Sequence, residues 1–247
     1  MDIYWFSDPQ IKKGVRSSLR VVAHDIVHYL PDVIICGGDL YDMPSLSSFD
    51  IGKNSFNSRR YLEDIKAGDA AQLEFFEIVS EGRKKNKKWR PRFLFLWGNH
   101  EDRITRAREL MPSNFIGLID EHMPNLSMWD KVYPFLKILE LGGVCFSHYI
   151  TNEFSPRPIS SAKAILSKKH CSFVCGHKQS FEQDMQTKLN GETIMGVIMG
   201  ACYYHNEEYR PQHNNHFRGA MLMKDVHKGV WTTIARPLKT LDREYEK

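Results

Sequence analysis

Val33-Ile34-Ile35-Cys36-Gly37-Gly38-Asp39-Leu40-Tyr41-Asp42 carries four apolar residues into two glycines and a carboxylate. A short apolar run closed by Gly, Asn, Ser or Asp reads as a buried strand that stops at a turn. The same arrangement recurs on both sides of this stretch. Ile3–Phe6 leads into Ser7-Asp8-Pro9-Gln10, and Phe93–Trp97 into Gly98-Asn99-His100-Glu101. Val144–Phe146 leads into Ser147-His148-Tyr149, and Ser172–Cys175 into Gly176-His177-Lys178-Gln179. Asp8, Asp39, Asn99, His148 and His177 are therefore expected at the carboxyl ends of neighbouring strands, the edge where open α/β sheets place ligands. Carboxylates, an amide oxygen and imidazoles converging there make a divalent metal site.

The segments between the motifs supply the other layers. Residues 17–30 put Val21, Val22, Ile26, Val27 and Leu30 on one side of a helix that Pro31 ends. Segment 43–62 is polar, rich in Ser and Asn, and long for a connection, so it is expected to be an active-site loop or small cap. Helices are predicted over 63–81, 101–111 and 160–169. Gly142-Gly143, Asn190-Gly191 and His227-Lys228-Gly229 mark hairpin turns: between 135–141 and 144–147, between 184–189 and 192–199, and between 219–226 and 230–236. The last dozen residues are charged and are expected to fray. Together these elements predict one domain over 1–247, a four-layer α/β/β/α sandwich of two mixed sheets with metals at the strand carboxyl ends.

Composition narrows the class. The chain has 247 residues, 42% of them apolar, and no run long enough to span a membrane. It enters a strand directly, without the pattern of a signal peptide, which points to the cytoplasm. The five Cys (Cys36, Cys145, Cys171, Cys175 and Cys202) lack zinc-ribbon spacing and read as buried, reduced thiols. Net charge is +4, but Arg83, Lys84, Lys85, Lys87, Lys88, Arg90 and Arg92 crowd into one segment. The rest of the chain is slightly acidic, which excludes a generally basic nucleic-acid binder. The 83–92 loop is either a solvated helix end or a grip on a phosphate backbone, with Trp89 stacking on a base.

In their order the motifs resemble the calcineurin-like metallophosphoesterase superfamily, whose pattern is D-x-H, G-D-x-x-D, G-N-H-[ED], a lone His after a strand, and G-H-x-H. The resemblance covers roughly residues 2–200. It implies two divalent ions. One would be held by Asp8, Gln10, Asp39 and Gln179, the other by Asp39, Asn99, His148 and His177, with Asp39 bridging. It implies His100 as the general acid or transition-state stabiliser beside Asp39. Gln10 and Gln179 stand where the superfamily has His, and both fall on the same metal. The wider match, including Met43–Asp50 and Gly98–Arg103, is similar to a phage-encoded branch in which Gln at both positions is usual, which would place the protein in a host cytoplasm.

The residues suit phosphate ester hydrolysis. Two divalent ions activate a water and hold phosphate oxygens. Their charge exceeds that of Asp8 and Asp39, so the site attracts a phosphodiester and would clamp a dianionic monoester harder. Replacing imidazole by amide oxygen leaves the charge unchanged but hardens the first site, favouring manganese or magnesium over zinc or iron and making that ion labile. His100 can donate a proton to a leaving oxygen. Asp42 is expected to orient His148 or His177 rather than to ligate. Arg103 is a candidate for substrate phosphate. Tyr204, His205 and Arg218, in a stretch that also holds Tyr203, Tyr209, Arg210, His213 and His216, are candidates for contact with a nucleotide. The leading expectation is a metal-dependent phosphodiesterase acting on nucleic acid or nucleotides. The alternatives are a phosphomonoesterase and a binding scaffold with weakened catalysis. The Ser/Thr phosphatases have Arg after their second motif, where this sequence has Met43-Pro44.

Overall fold

The computed structural model describes residues 1–48, 58–206 and 214–246. Its first sheet has the order β12-β11-β1-β2-β3-β4. β1 (Ile3–Phe6), β2 (Val33–Cys36), β3 (Arg92–Leu96) and β4 (Lys131–Tyr133) run parallel. β11 (Gly219–His227) and β12 (Val230–Pro237) add an antiparallel pair beside β1. The second sheet has the order β10-β9-β6-β5, with β5 at Leu139–Leu141, β6 at Val144–Ser147, β9 at Ser172–Thr187 and β10 at Thr193–Gly200. A separate two-stranded hairpin, β7 (Thr151–Asn152) with β8 (Ser155–Pro158), lies between β6 and α5.

The parallel strands are buried on both faces, which is why their sequences read as continuous apolar runs. Ile3, Trp5, Val33, Ile35, Leu94 and Leu96 face the second sheet and meet Val144, Phe146, Val174, Val197 and Met199. The alternate residues Tyr4, Phe6, Ile34, Cys36, Phe93 and Phe95 face a helical layer. That layer comprises α1 (Leu19–Tyr29), α2 (Tyr61–Lys85), α3 (Asn99–Leu110), α4 (Pro112–Glu121) and α6 (Leu238–Tyr245). Outside the second sheet, α5 (Ala162–Lys169) covers Phe173, Cys175, Ile194 and Ile198. This is the expected four-layer sandwich. Each fully buried large apolar side chain contributes about 1.5–3 kcal/mol.

Register sets the functional edge. Phe6 lies opposite Cys36, and Cys36 opposite Phe95, so the first three motifs leave one sheet at one level. Ser147 lies opposite Cys175, so the fourth and fifth leave the other sheet together.

Several elements differ from expectation. α3 begins on Asn99 itself, placing the third motif inside its first turn. α2 runs on to Lys85, so Arg83, Lys84 and Lys85 form its last turn, where cations suit the helix dipole. Trp89 is buried, and its indole N–H donates to the Pro31 carbonyl at 2.7 Å, so the ring is committed to the core rather than offered to a base. The strands expected at 172–175 and 184–189 belong to one strand, β9, and both parts lie opposite β10: Gly196 faces Phe173 and Asp184. The fifth motif is the passage between them. The tail, expected to fray, is helical over Leu238–Tyr245: Leu238 and Leu241 bury one face of α6 against α1, and Arg236 and Tyr245 both bond the buried Asp25. The expected cap at 43–62 opens with a 3-10 turn at Pro44–Leu46, pinned by the Ser45 amide to Asp64, and residues 49–57 of it lie outside the described residues. Among the described residues no helix is long and apolar enough to cross a membrane.

Candidate metal centre

The backbone of the first two motifs is zipped together at the sheet edge. The Asp8 amide donates to the Gly38 carbonyl at 2.9 Å, Gln10 to Asp39 at 2.9 Å and Ile11 to Leu40 at 2.7 Å. Asp8, Gln10, Asp39 and His177 all have left-handed backbones, with φ of 55°, 44°, 52° and 64°. For residues other than Gly this conformation costs about 1–3 kcal/mol each and persists where the surroundings impose it. Three of the five motifs thus carry strain at a proposed ligand.

Asp39, His148 and His177 bring one ligand atom each within 4.8 Å of one another. His148 Nδ1 lies 2.8 Å from the Gly37 carbonyl, so that nitrogen carries the proton and Nε2 is left for a metal. Nε2 is 2.9 Å from Asn99 Oδ1 and 3.4 Å from Asp39 Oδ2. The His177 ring stands edge-on to that of His148, with centroids 5.3 Å apart, and Tyr149 flanks it at 4.8 Å. Asp8 Oδ2 accepts from the Ser7 hydroxyl and from the His177 amide, the latter at 2.9 Å, linking the first motif to the fifth.

A metal fits these residues on a specific observation. Asp8 Oδ1 and Gln10 Oε1 are buried and have no hydrogen-bond partner. Buried oxygens left bare cost free energy, and each is a donor atom that a hard cation takes. Gln179 follows His177 by two residues in β9 and is half-buried. Electrostatics point the same way. Burial and the neighbouring Asp39 push Asp8 up to about 6 and Glu101 up to about 7, though His148 opposes both. Burial also raises Asp39, but His100, His148 and His177 overcome it and hold the carboxylate well below its usual range. Burial depresses His148, yet Asp39 outweighs it and lifts the ring to about 9. His177 falls to about 4 through burial and the adjacent His148. A pocket that spreads its titrating groups this widely is one in which a cation relieves repulsion between carboxylates.

His100 lies beside this cluster. Its Nδ1 is 3.1 Å from Asp42 Oδ1, and its Nε2 is 3.7 Å from Asp39 Oδ2 and 2.9 Å from Arg103 Nη2. Burial and Arg103 lower the ring's pKa, but Asp39 and Asp42 prevail and raise it. Asp42 therefore orients His100, not His148 or His177, and Lys12 holds its other oxygen at 2.9 Å. The orienting partner of His148 is a backbone carbonyl, which no side-chain pattern reveals. Arg103 also spans the Asp42 and Met43 carbonyls at 2.9 and 3.2 Å, fastening the second loop.

The remaining candidates lie together beyond β10. The Cys202 amide donates to the Ser7 and Asp8 carbonyls at 3.0 and 3.1 Å, so the chain returns directly behind the first motif. From there Tyr204 turns to α6: its hydroxyl bonds Asp242 and Arg16 covers its ring at 4.1 Å. The His205 ring stacks on Tyr203 with centroids 4.5 Å apart. Arg218 ties the segment's ends together through the Tyr204 carbonyl at 2.6 Å and Asn206 Oδ1 at 2.9 Å. Tyr209, Arg210 and His213 lie outside the described residues.

Glu101 is the residue the motifs did not single out. Fully buried, its Oε2 accepts from the Asp39 and Gly98 amides at 2.9 Å and its Oε1 from Tyr41 at 3.0 Å. The spacing Gly98-x-x-Glu101 is that of a capping box, and this was the available signal.

No family model matches the chain, and no curated protein matches it. Solved structures do. Vps29 from Entamoeba histolytica, described as complexed with Zn+2, is similar at 9% identity and a TM-score of 0.43, over 96% of this chain and 99% of that one. A dimetal phosphatase from Danio rerio is similar at 12% identity and a TM-score of 0.45, over 96% of each chain. YfcE, a phosphoesterase from E. coli, is similar at 9% identity and a TM-score of 0.37, over 96% of this chain and all of that one. Likenesses this distant carry no argument about this chain's chemistry.

Proposed function

We propose that the protein is a metal-dependent phosphoesterase whose preferred substrate is a phosphodiester of nucleotide or nucleic-acid type. The observation that carries this reading is the pair of bare buried oxygens, Asp8 Oδ1 and Gln10 Oε1, in a motif hydrogen-bonded strand to strand with the Asp39 loop. Asp39, Asn99, His148 and His177 would hold one ion, and Asp8, Gln10, Asp39 and Gln179 a second. Bound divalent ions would supply Lewis-acid charge and an acidified water. The protein's own groups do the rest. His100, held by Asp42 and shifted toward its protonated form by Asp39 and Asp42, is the candidate donor to the leaving oxygen. Glu101 fixes Asp39 by its backbone. Ser7 and the His177 amide fix Asp8.

The basic segment 83–92 enters β3, whereas His100 follows its exit. The two are separated by a five-residue strand, about 17 Å. A polymer gripped there would be held at a distance from the centre, so small diesters should not feel it.

The test is hydrolysis by chelated protein resupplied with manganese, using paired aryl diester and aryl monoester substrates. Manganese-dependent turnover with the diester ahead is expected. Faster monoester turnover would favour a phosphatase. Stoichiometric manganese binding with no turnover of either ester would leave a binding scaffold.

A further inference from the structure

Two aromatic rings at the edge of the metal centre belong to no core. Phe135 and Tyr149 are both partly exposed, and neither packs into any of the three apolar clusters that hold the layers together. They meet edge to face, with centroids 5.5 Å apart and planes at 81°. Tyr149 also flanks both proposed ligand imidazoles, at 5.6 Å from His148 and 4.8 Å from His177. Phe135 lies 6.4 Å from His148.

The backbone is bent to put Phe135 there. β4 leaves the first sheet beside the third motif, where the Tyr133 carbonyl accepts from the Trp97 amide at 3.0 Å. The next four residues, Pro134 to Lys137, form a turn closed by the Lys137 amide on the Pro134 carbonyl at 2.9 Å. Its third residue, Leu136, has φ of 60°, a backbone for which turns ordinarily take Gly. A branched side chain in that region carries strain, and such strain persists where the surroundings impose it and gathers at functional sites. Tyr149 needs no such device. It directly follows His148, so the strand that delivers a ligand also delivers the ring.

We propose that Phe135 and Tyr149 form a stacking wall for a planar ring carried by the phosphate ester, a nucleobase or an aryl group, and thereby set the specificity of the site. This rests on the reading of the centre as a phosphate-ester site. Tyr149 adjoins both imidazoles, so an ester whose phosphate is held there brings its substituent to this rim. Every base has a π face, so an aromatic wall selects planarity rather than one particular base. An alkyl substituent carries the same phosphate charge but gains no stacking. The two rings already brace each other edge to face, so little freedom is lost when a third ring joins them.

The test is equilibrium binding by calorimetry, with the full chain saturated with manganese. The probes are methyl phosphate, phenyl phosphate and thymidine 5′-monophosphate, which share one phosphate and differ in what it carries. At least one ring-bearing probe should bind about fivefold or more tighter than methyl phosphate. An advantage for phenyl phosphate alone assigns the wall to a ring bonded directly to the phosphate; an advantage for the nucleotide assigns it to a base. The ratio should fall toward one in Tyr149→Leu and in Phe135→Leu, and survive in Tyr149→Phe, which keeps the ring and loses the hydroxyl. Methyl phosphate bound as tightly as the ring probes by the unaltered chain, or no binding of the ring probes, would overturn the proposal. So would a ratio that survives both Leu changes or is lost in Tyr149→Phe. An equal loss of all three probes in the Leu variants would make the rings mere supports for His148 and His177. Turnover is not read, so a wall that fails leaves the hydrolytic reading standing, and a chain that binds esters without cleaving them would still show the wall.

Discussion

The Glu101 carboxylate holds Asp39 by the Asp39 backbone amide and not by its side chain: one carboxylate oxygen accepts the Asp39 and Gly98 amides while the other accepts that of Tyr41. The second and third motifs, 60 residues apart in sequence, are thereby locked into one loop pair. Glu101→Ala leaves three buried N–H groups unpaired. At about 1 kcal/mol or more for each, the loss is about 3 kcal/mol, or roughly 6–12 °C in Tm for a chain of this size. Manganese affinity should fall with it. Calorimetry checks both, and an unchanged Tm would show that the clamp does not matter.

His100→Ala should lower turnover of a diester with a poor leaving group by about 10²–10⁴-fold while leaving metal content unchanged. Asp42→Asn should have a smaller effect on rate and a distinct one on pH dependence. Asp39 and Asp42 both raise the His100 pKa, so removing the Asp42 charge lowers it. Activity that requires protonated His100 falls as pH rises through that value, so the alkaline limb should move to lower pH. A limb that stays in place would separate Asp42 from His100.

His148 makes the metal-free protein and the metal complex respond to pH in opposite ways. Its folded pKa, about 9, exceeds the ordinary value of 6.5. The protonated ring therefore stabilises the metal-free fold below pH 6.5, and that stability is lost as pH rises through 9. Metal binding needs the neutral ring, so affinity should strengthen over the same interval. Tm measured from pH 6.5 to 9 should fall for chelated protein and hold or rise with manganese present. Parallel falls would place His148 outside the coordination sphere.

The purified protein should carry closer to one tightly held ion than two, because Gln10 and Gln179 offer amide oxygen rather than imidazole. The double change Gln10→His with Gln179→His should raise zinc or iron content, read by elemental analysis. Two full equivalents of zinc in the unaltered protein, prepared without added metal, would refute the labile first site.

Replacing Lys84, Lys85, Lys87 and Lys88 by Ala should weaken binding of single-stranded DNA and flatten its salt dependence. Hydrolysis of a small aryl diester should stay within about twofold, given the strand length between segment and centre. Unchanged DNA binding would make this the solvated end of α2 and nothing more.

What was legible in the sequence followed from burial. Parallel strands covered on both faces have to be apolar throughout, so β1, β2, β3, β6 and the first part of β9 stood out with their motifs attached. The Gly142-Gly143 hairpin was legible because both residues adopt left-handed backbone, at φ of 62° and 81°. Elements held by tertiary contacts were not. α6 has only two buried residues in a charged sequence, and its Tyr245 is tied to the buried Asp25, 220 positions earlier, which also holds Arg236 of β12. Trp89 looked available because it lies among cations, yet its ring closes the core over Pro31. At the centre the convergence of Asp39, His148 and His177 was legible, whereas the Gly37 carbonyl that orients His148 leaves no trace in residue identity and Glu101, which holds backbone amides, left only the capping-box spacing.

Two motif glycines, Gly98 and Gly176, and Gly200 at the end of β10 limit how such a centre can drift over generations. A Cβ on Gly98 would sit 2.1 Å from Asp39 Oδ1, one on Gly176 would sit 2.7 Å from Asp8 Oδ2, and one on Gly200 would sit 2.6 Å from the His177 nitrogen. Each glycine borders a proposed ligand contributed by a different strand, so a single added methyl on one strand end is felt as damage at another. The backbone is then inherited as one piece, and variation is confined to side-chain tips. A change of side chain at position 10 or 179 would leave those glycines, and the backbone they hold, untouched.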